Sequence, residues 1–370
     1  MSQPTWFQRF LLPGFAFKAV VIGGGYATGR ELAEFFVSVG PWGGMLAMAL
    51  STVLFSLICV VTFLFARMTQ STDYRGFFRN LVGPLWVFFE VAYMFSFVLI
   101  LAIYGAAAGA IGVAMFGWPP IAGVLCLIAG IAAFATFGNQ SVEWLFKYAS
   151  FFLYAVYTVF VIVTLAKFGP EAMRGFSAPS SNEGWALAGI TYTNYNVMAA
   201  VVILPVLRHL TSTRDAVIAG LLAGPLTMIA AVFFYLCMMA WYPAIGAEVL
   251  PADFMLRQLG LPLLHGAFQF MIFMALLQSG VSGVHAINER IAGYLTERKQ
   301  RGFSPSARFA CTAVLLVAAI FAAQQFGLVD LIAKGYRALA LMILVTFVLP
   351  LLTIGIWRLV QGRRATPAKA

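Results

Sequence analysis

Three charged side chains lie inside the first apolar segment of the chain, directly after a glycine-rich stretch. The segment VIGGGYATGRELAEFF covers residues 21–36 and places Arg30, Glu31 and Glu34 after the glycines of residues 23–29. A glycine costs up to about 1 kcal/mol relative to alanine inside a helix, and a charge at the centre of a membrane helix costs about 2.5–3.5 kcal/mol. The pattern therefore predicts a broken helix whose exposed main-chain groups line a cavity or pack against protein.

Two interpretations of these charges stay open at this point. Arg30 and Glu34 are four residues apart, so they could pair on one helix face as a structural ion pair or an outer gate. Alternatively, Arg30 or Glu31 faces the path of a solute. The glycines alone would equally suit close packing between membrane helices. Under the solute interpretation, the predicted site also includes the neighbouring residues Gly24, Gly25, Thr28 and Gly29.

A second polar stretch, TYTNYN at residues 191–196, lies in the middle of another apolar segment. Consecutive hydrogen-bonding side chains cannot all face lipid, and asparagine competes for main-chain hydrogen bonds. We expect an unwound segment opposite the glycine break, where half-helix N-termini favour an anionic group and C-termini a cation. Polar contacts between helices are the alternative. The side chains predicted to shape the solute pocket are Tyr192, Thr193, Asn194 and Asn196.

Polar side chains recur at three- and four-residue steps in the segment LLQSGVSGVHAINERIAGYL. Ser279 and Ser282 lie about a turn apart and could offer two hydroxyl oxygens to Na⁺, although serine and glycine in a stripe also suit tight packing. His285 and Glu289 could form a proton relay or an inner gate, with a purely structural histidine as the alternative. The remaining residues assigned to the solute pocket are Gln278 from this stripe and Tyr93 and Tyr104 from an earlier segment.

These residues must be held by helices inside a membrane, because the composition fits no other class. The chain has 370 residues, of which 62% are hydrophobic and 10% charged, against about 25% charged in soluble domains. With a mean hydropathy of +0.91, too few polar groups remain to cover a surface in water. The net charge of +10 then reports cytoplasmic loops. A nucleic-acid partner is not expected, because no basic stripe is interleaved with aromatics.

Ten apolar segments are long enough to cross a bilayer core of about 30 Å. With the N-terminus inside, 17 of the 23 Lys and Arg fall on one side and 5 on the other, while Arg30 lies within the first segment. This asymmetry predicts that both termini are cytoplasmic. The predicted segments are approximately 15–38, 44–67, 84–115, 119–137, 142–168, 184–207, 214–241, 261–294, 306–325 and 329–358.

The predicted fold is an all-α polytopic membrane protein with ten transmembrane helices, in a single domain over residues 1–370. The helices divide five plus five, so related halves would form an inverted repeat. The repeats would cover about residues 15–168 and 184–358. Helices 1 and 6, the first of each repeat, are both expected to be broken near the midplane of the bilayer.

The cysteine and histidine content argues against several kinds of site. Each of the four cysteines stands alone in an apolar segment, so neither a zinc site nor a disulfide framework is indicated, and we expect all four to be buried. The three histidines are scattered and no nucleophile–base constellation is present, so neither an intramembrane enzyme nor a bound cofactor is expected. The four cysteines are Cys59, Cys126, Cys237 and Cys311.

Three motifs, GGGYATGRELAEFF, YNVMAAVVILPVL and HAINERIAGYL, together resemble the YkvI-type bacterial membrane proteins. Those are related to the amino acid–polyamine–organocation superfamily, with its leucine-transporter-type fold. The resemblance spans nearly the whole chain and implies the inverted repeat, with a substrate at the two broken helices. It also implies that carbonyls around Gly23 and Tyr26, with the hydroxyls of Ser279 and Ser282, hold Na⁺.

The expected function is secondary transport of a small amino-acid-like or related organic solute across a bacterial inner membrane. Na⁺ is the expected coupling ion and H⁺ the alternative. A solute carboxylate would meet main-chain N–H groups at the breaks or Arg30, and Glu31 would take an ammonium or carry a proton. A ligand-sensing receptor on the transporter fold, without net transport, is the competing expectation. The expected partners are the solute and membrane lipid, and the identity of any protein partner stays open.

Overall fold

The computed structural model describes residues 4–137, 139–297 and 305–362, and their side chains outside 24–25, 135–151, 285–286, 288–309 and 311. All regular structure in these residues is helical. The α-helices are α1 Trp6–Phe10, α2 Leu12–Val21, α3 Gly24–Ala27, α4 Arg30–Phe35, α5 Pro41–Thr69, α6 Tyr74–Val82, α7 Trp86–Phe116, α8 Pro120–Phe137, α9 Asn139–Phe176, α10 Trp185–Asn196, α11 Ala199–Val202, α12 Thr213–Met238, α13 Pro251–Leu259, α14 Pro262–Glu297, α15 Pro305–Asp330, α16 Tyr336–Ile343 and α17 Ile356–Val360.

Six helical stretches among the described residues are long and apolar enough to cross a membrane. An all-helical integral membrane protein is therefore confirmed. The count of ten spans, the inverted repeat and the position of the breaks relative to a bilayer stay predictions. The six stretches are Pro41–Thr69, Tyr74–Phe116, Phe152–Phe176, Thr213–Trp241, Pro262–Val284 and Thr312–Val360.

The glycine-rich stretch separates three short helices. Helix α2 ends at Val21, Gly23 is extended with φ −92° and ψ −171°, and α3 is a single turn. Gly29 then has φ +80°. Residues other than glycine adopt this backbone conformation only under strain. A Cβ atom at Gly29 would also lie 2.8 Å from the ring of Phe234. The turn that starts α4, and so orients Arg30 and Glu31, therefore depends on this glycine.

The prediction that TYTNYN is unwound is wrong. Helix α10 runs through these residues to Asn196. The α-helical hydrogen-bond pattern is interrupted only at residues 197–198, before α11, and Val197 and Met198 keep right-handed helical φ and ψ angles. The physical reason is that two of the polar side chains bond within their own helix. The Thr193 hydroxyl donates to the Gly189 carbonyl at 2.8 Å, and the Asn196 amide donates to the Tyr192 carbonyl at 3.0 Å. Such bonds satisfy side chains without unwinding the main chain.

The last membrane stretch is irregular. Gly327 interrupts α15 with φ +70°, and a π-helical turn at Leu331–Gly335 leads directly into Tyr336 and α16. Two further π-helical turns follow at Leu344–Val348 and Leu351–Gly355. Because a π turn adds a residue to the helical turn, it changes which face the next side chains occupy, and such turns often lie at functional sites.

The expectation that all four cysteines are buried is wrong for Cys126. Cys59 and Cys237 are buried, whereas Cys126 on α8 is exposed. Cysteine behaves as a small apolar side chain, so exposure on the outside of a membrane protein carries little penalty. The side chain of Cys311 lies outside the described residues.

Long helices that pack closely against one another surround the short helices. Helix α5 packs along α12 and α10, and α7 packs against α8 and α15. Small residues permit this approach: a Cβ atom at Gly220 would lie 2.6 Å from the backbone of Val60. Helix α2 lies against α12, and α4 lies against α10. The broken first segment is therefore enclosed by the bundle.

Candidate functional site

A buried carboxylate lies at the interruption of the first apolar segment. The Glu31 residue is 4% exposed. The Tyr195 hydroxyl donates to its Oε2 at 2.9 Å, and the Tyr336 hydroxyl donates to its Oε1 at 3.3 Å. An ionised carboxylate is costly to bury without hydrogen bonds or a counter-charge. Here each oxygen has one donor, and both donors are neutral.

Three separate elements bring these groups together. Glu31 follows the left-handed Gly29 in the first turn of α4, Tyr195 is the penultimate residue of α10, and Tyr336 starts α16 after the π turn. The rings of Tyr195 and Tyr336 are stacked, with centroids 4.2 Å apart and an interplanar angle of 13°. The stack fixes both hydroxyls on one side of the carboxylate.

A small cavity of about 50 Å³ adjoins Glu31. One water molecule occupies about 30 Å³ of liquid, whereas pockets that hold organic ligands measure roughly 300–1,000 Å³. In this conformation the cavity is therefore too small for an organic solute. The side chains and backbone that line it with Glu31 include Gly23, Tyr104, Tyr195, Asn196 and Tyr336.

The electrostatics of this cavity favour a cation. Its lining contains the Glu31 carboxyl group and no cationic side chain. Helices α2 and α10 both end at the cavity, since Val20, Val21 and Asn196 are among the lining residues. The last carbonyls of a helix lack intrahelical partners and carry partial negative charge. Helices α4 and α11 begin at the same space, since Glu31 and Ala199 also line it, so helix ends of both signs meet here and the preference for a cation rests on the Glu31 carboxylate.

Arg30 is directed away from this cavity. Its Nη1 donates to the carbonyls of Gly246 and Glu248 at 2.8 and 2.9 Å, and its Nη2 donates to Glu34 Oε2 at 3.0 Å. The residue is 5% exposed. Of the two alternatives that the sequence left open for Arg30, the ion pair with Glu34 is present in this conformation.

The Arg30 contacts belong to a wider junction around α4. Glu34 Oε1 also accepts from Arg337 at 2.9 Å, so one carboxylate joins two arginines. The Ala252 N–H donates to the Thr28 carbonyl at 3.0 Å, at the turn between α3 and α4. The segment between α12 and α14 is thus bonded to the broken helix at Thr28 and Arg30.

A second junction lies before α2. Arg9 on α1 makes two hydrogen bonds to Asp215, from Nε at 2.9 Å and from Nη2 at 2.8 Å. The Asp215 side chain is 1% exposed and also accepts hydrogen bonds from Thr211 and Ser212. This pair joins the N-terminal helix to the start of α12.

Other residues predicted for the solute pocket lie at varying distances from this cavity. Thr28 is fully buried at the turn before α4. Tyr192 packs edge-on against Phe36, with centroids 4.7 Å apart. Thr193 bonds its own helix, and Asn194 is buried. Gly24 and Gly25 lie in the single turn of α3.

Tyr93 and Gln278 do not line the small cavity beside Glu31. Tyr93 stacks on Tyr74 with an interplanar angle of 11°, in an aromatic cluster nearer the start of α7. The Gln278 carbonyl accepts from Ser282. The structure thus separates these two residues from Tyr104 and Asn196, which do line the cavity.

The four residues predicted to hold Na⁺ are only partly brought together. Gly23 lies against the Tyr104 hydroxyl, and Ser279 interacts with the same hydroxyl. Ser282 is exposed, and its hydroxyl donates to its own helix at 2.9 Å. The Tyr26 carbonyl accepts from the Gly29 N–H at 2.9 Å. Across the described residues, no group of three His, Cys, Asp or Glu side chains could hold a metal ion.

The proposed relay residues His285 and Glu289 have side chains outside the described part of the chain. Sequence reasoning missed Tyr195 and Tyr336 as partners of Glu31. Tyr195 belongs to the same polar stretch as the predicted Asn194 and Asn196, so its place in the sequence could have identified it as a site residue. Nothing in the sequence around Tyr336 marks the π turn that orients it.

Comparison with known proteins gives one protein of weak sequence similarity at this level of significance. No family model matches the chain. The uncharacterized membrane protein YkvI of Bacillus subtilis (strain 168) is 22% identical over 213 residues, which are 57% of this chain and 60% of that protein. The match therefore spans less than two thirds of the relative. The resemblance to YkvI-type proteins is confirmed at this level.

Solved structures show the fold. A Na⁺-coupled sialic acid symporter matches with a TM-score of 0.61 and 15% identity, over 96% of this chain and 82% of its own. MhsT in complex with L-phenylalanine matches with a TM-score of 0.54 and 17% identity, over 98% and 99%. A manganese transporter of Eremococcus coleocola matches with a TM-score of 0.56 and 14% identity, over 95% and 82%. The chain has the leucine-transporter-type fold, and two of these three neighbours are described as a symporter and a transporter.

Proposed function

We propose that this protein is a secondary transporter that moves a small amino-acid-like or related organic solute by alternating access. The observation that carries the proposal is Glu31, a buried carboxylate between two tyrosine hydroxyls, at the interruption of the first segment and beside a small cavity. A purely structural role would be better filled by an apolar side chain, because burying a carboxylate is expensive.

The chemistry of the cavity suggests which part of the solute binds there. We assign the solute ammonium to Glu31, because this buried carboxylate is the charged group among the residues that line the cavity and an ammonium would compensate it. The rings of Tyr104, Tyr195 and Tyr336 offer aromatic faces and hydroxyls to the same group. Asn196 offers an amide for a second polar group. Because the cavity is only about 50 Å³, the solute must enter when the helices around it have moved apart.

The two junctions would serve as gates. The outer gate comprises Arg30, Glu34 and Arg337 with the segment that bonds Thr28 and Arg30. The inner gate is the pair of Arg9 and Asp215. In this proposal, the conformation with both junctions formed is the occluded state of the alternating-access cycle. Opening one gate at a time would expose Glu31 to one side only, which alternating access requires.

Na⁺ is the proposed coupling ion, held by the Gly23 and Tyr26 carbonyls and the hydroxyls of Ser279 and Ser282. One neighbour of the same fold is described as a Na⁺-coupled symporter, which supports this choice. Proton coupling, with Glu31 as the carrier, is the alternative, and Glu31→Gln separates the two because glutamine cannot release a proton.

The membrane arrangement belongs to the same proposal. We propose one domain of ten transmembrane helices in two inverted repeats, over about 15–168 and 184–358, in a bacterial inner membrane with both termini cytoplasmic. Interruptions at the start of both repeats support this: α2 gives way to α3, and α10 gives way to α11. Lipid would surround the bundle.

Uptake into proteoliposomes tests the proposed function. The purified chain is first screened for thermal stabilisation by amines and amino acids, with and without Na⁺, since a ligand stabilises the state that it binds. The stabilising compound is then supplied in radioactive form to proteoliposomes with an imposed Na⁺ gradient. Concentrative uptake supports the proposal. Saturable binding with no flux under Na⁺ or proton gradients would replace it with the receptor alternative.

A further inference from the structure

A second and larger cavity, of about 540 Å³, lies apart from the solute cavity and shares no lining residue with it. Its floor is the segment that bridges α12 and α14, including Val249, Leu250 and α13. Its walls come from α7, the start of α8 and the end of α15. The volume falls within the roughly 300–1,000 Å³ typical of sites for organic ligands.

The walls of this cavity are apolar and built from small side chains. Helix α7 contributes Ala106, Gly109 and Ala110, which leave space where larger residues would fill it. Exposed residues at the mouth include Val113 and Val249. An apolar group of moderate size could therefore enter from the surface and bury its area between α7 and α15, the favourable term in most ligand binding.

One polar end of the cavity carries a buried carboxylate. The Asp253 side chain is 1% exposed. Its Oδ1 accepts from His265 Nε2 at 2.7 Å and from Gln269 Nε2 at 2.6 Å. Its Oδ2 accepts no hydrogen bond of good geometry, although Arg257 Nε lies 3.0 Å away. One oxygen is thus firmly held, whereas the other is covered in this conformation and keeps acceptor capacity for a cation that takes the place of Arg257.

Arg257 can leave its position only if another cation replaces it. Its side chain is 57% exposed, so the guanidinium itself can turn into solvent without a desolvation penalty, but its departure alone would leave the 1% exposed Asp253 carboxylate without a counter-charge. Asp253 cannot follow, because His265 and Gln269 hold it in place. A competing cation with an apolar body would keep the Coulombic contact and add buried apolar area.

We infer that this cavity is a regulatory binding site for an apolar ammonium compound, with the ammonium on Asp253 Oδ2 and the apolar body between α7 and α15. Glu248 also lines the cavity, so the lining holds two acidic residues and one basic residue, Arg257. An anion would meet the buried Asp253 carboxylate, whereas a cation would pair with it. The site therefore favours a cation.

Occupation of this site would act on the outer gate. The Ala252 N–H, next to Asp253, holds the Thr28 carbonyl, and the Glu248 carbonyl holds Arg30. A ligand seated behind this segment would support it against the broken helix and slow outward opening. This consequence rests on the proposed transport function, whereas binding to the cavity does not.

Direct binding to the purified full-length protein tests the inference. The probe is 4-phenylbutylamine, and the matched compounds are the neutral 4-phenylbutanol and the anionic 4-phenylbutyrate, measured by calorimetry. We expect saturable binding of the amine alone. Equal binding of the alcohol or the acid would overturn the assignment of a cation-binding site.

Two substitutions with opposite expected effects locate the bound amine. Asp253→Asn should weaken amine binding at least about tenfold, because a buried charge partner is lost. Arg257→Gln should tighten it, because the competing cation is removed. Lys334→Gln is the control for net charge, since Lys334 is exposed at 77% and pairs only with Asp330 among the contacts described. An Arg257→Gln effect equal to that of the control would contradict the inference.

Glu31→Gln separates this site from the solute cavity. Amine binding that is lost in Glu31→Gln and kept in Asp253→Asn would place the probe at the solute site and overturn the inference. If Asp253→Asn does not fold, Ala110→Leu replaces it, because the larger side chain fills the cavity and should also weaken amine binding at least about tenfold. Amine binding that has no effect on solute uptake would contradict only the proposed action on the outer gate and would leave the binding site itself in place.

Discussion

The hydroxyl of Tyr195 lies 2.9 Å from Oε2 of Glu31, and this bond joins residues 164 positions apart in the chain. It connects the last turn of α10 with the first turn of α4, on either side of the small cavity. Both helices border an interruption, so a movement at either one would alter the surroundings of the carboxylate. This contact is the point at which solute binding and helix movement would be coupled.

The first prediction concerns the charge on Glu31. Glu31→Gln keeps the side-chain shape but removes the negative charge, and we expect the affinity for an ammonium solute to fall at least about 30-fold, as for a buried charge pair that loses one partner. Solute affinity is measured by calorimetry on purified protein. Glu183→Gln, at an exposed position, is the matched control. Unchanged affinity in Glu31→Gln would return Glu31 to a structural role.

The second prediction compares the two tyrosines. Tyr195→Phe and Tyr336→Phe each remove one hydroxyl donor to Glu31, and a hydrogen bond to a charged group is worth about 1.5–3 kcal/mol. The bond from Tyr195 is shorter, 2.9 Å against 3.3 Å. We therefore expect Tyr195→Phe to weaken solute binding more than Tyr336→Phe does. The reverse order would mean that the Tyr336 hydroxyl positions the carboxylate.

Several members of this site follow from local sequence. Glu31, Tyr104 and Asn196 were all expected near the break and do line one cavity. The break itself could be predicted because glycine residues and charged side chains both cost free energy inside a membrane helix. Those free-energy costs depend on residue type and sequence neighbours, so they can be estimated without knowing the fold.

Other features depend on distant contacts and could not be read from sequence. Arg30 donates to the carbonyls of Gly246 and Glu248, more than two hundred residues away, and carbonyls are present at every residue, so no sequence pattern marks them. Tyr336 owes its position to a π turn, which no residue pattern predicted. The helical state of TYTNYN was misjudged because bonds from Thr193 and Asn196 to their own helix offset the low helix propensity.

The third prediction concerns the ion site. Ser279→Ala and Ser282→Ala each remove one hydroxyl from the proposed Na⁺ site. Ser279 interacts with the Tyr104 hydroxyl beside the cavity, whereas Ser282 is exposed and bonds its own helix. We expect Ser279→Ala to raise the Na⁺ concentration needed for half-maximal solute binding more than Ser282→Ala does. A titration unaltered in the double variant would discard this Na⁺ site.

The fourth prediction concerns the outer gate. Arg30→Ala leaves the Gly246 and Glu248 carbonyls and one Glu34 oxygen without their donor, so the outer end should open more often. Ala199→Cys places a thiol in the solute cavity, in a chain that also carries Cys126→Ser and Cys311→Ser. We expect a membrane-impermeant maleimide applied from outside to label it several-fold faster after Arg30→Ala.

Arg337→Ala provides the comparison for this gate. The Arg337 side chain is 64% exposed, and an exposed ion pair contributes little, so its loss should accelerate labelling much less than Arg30→Ala. Similar rates in the two variants would show that the gate depends on the charge of Glu34 rather than on the bonds from Arg30 to the covering segment.

The fifth prediction concerns the inner junction. Arg9→Gln removes both hydrogen bonds to Asp215 and leaves a side chain that is 1% exposed without its cation. We expect faster labelling of the same Ala199→Cys thiol from the cytoplasmic side of inverted vesicles, and slower labelling from outside. Asp215→Asn should act in the same direction. Because the two residues form one pair, the double variant should label no faster than the stronger single variant. Additive rates would mean that Arg9 and Asp215 act on separate steps, and the inner gate would then have to be sought elsewhere along α12.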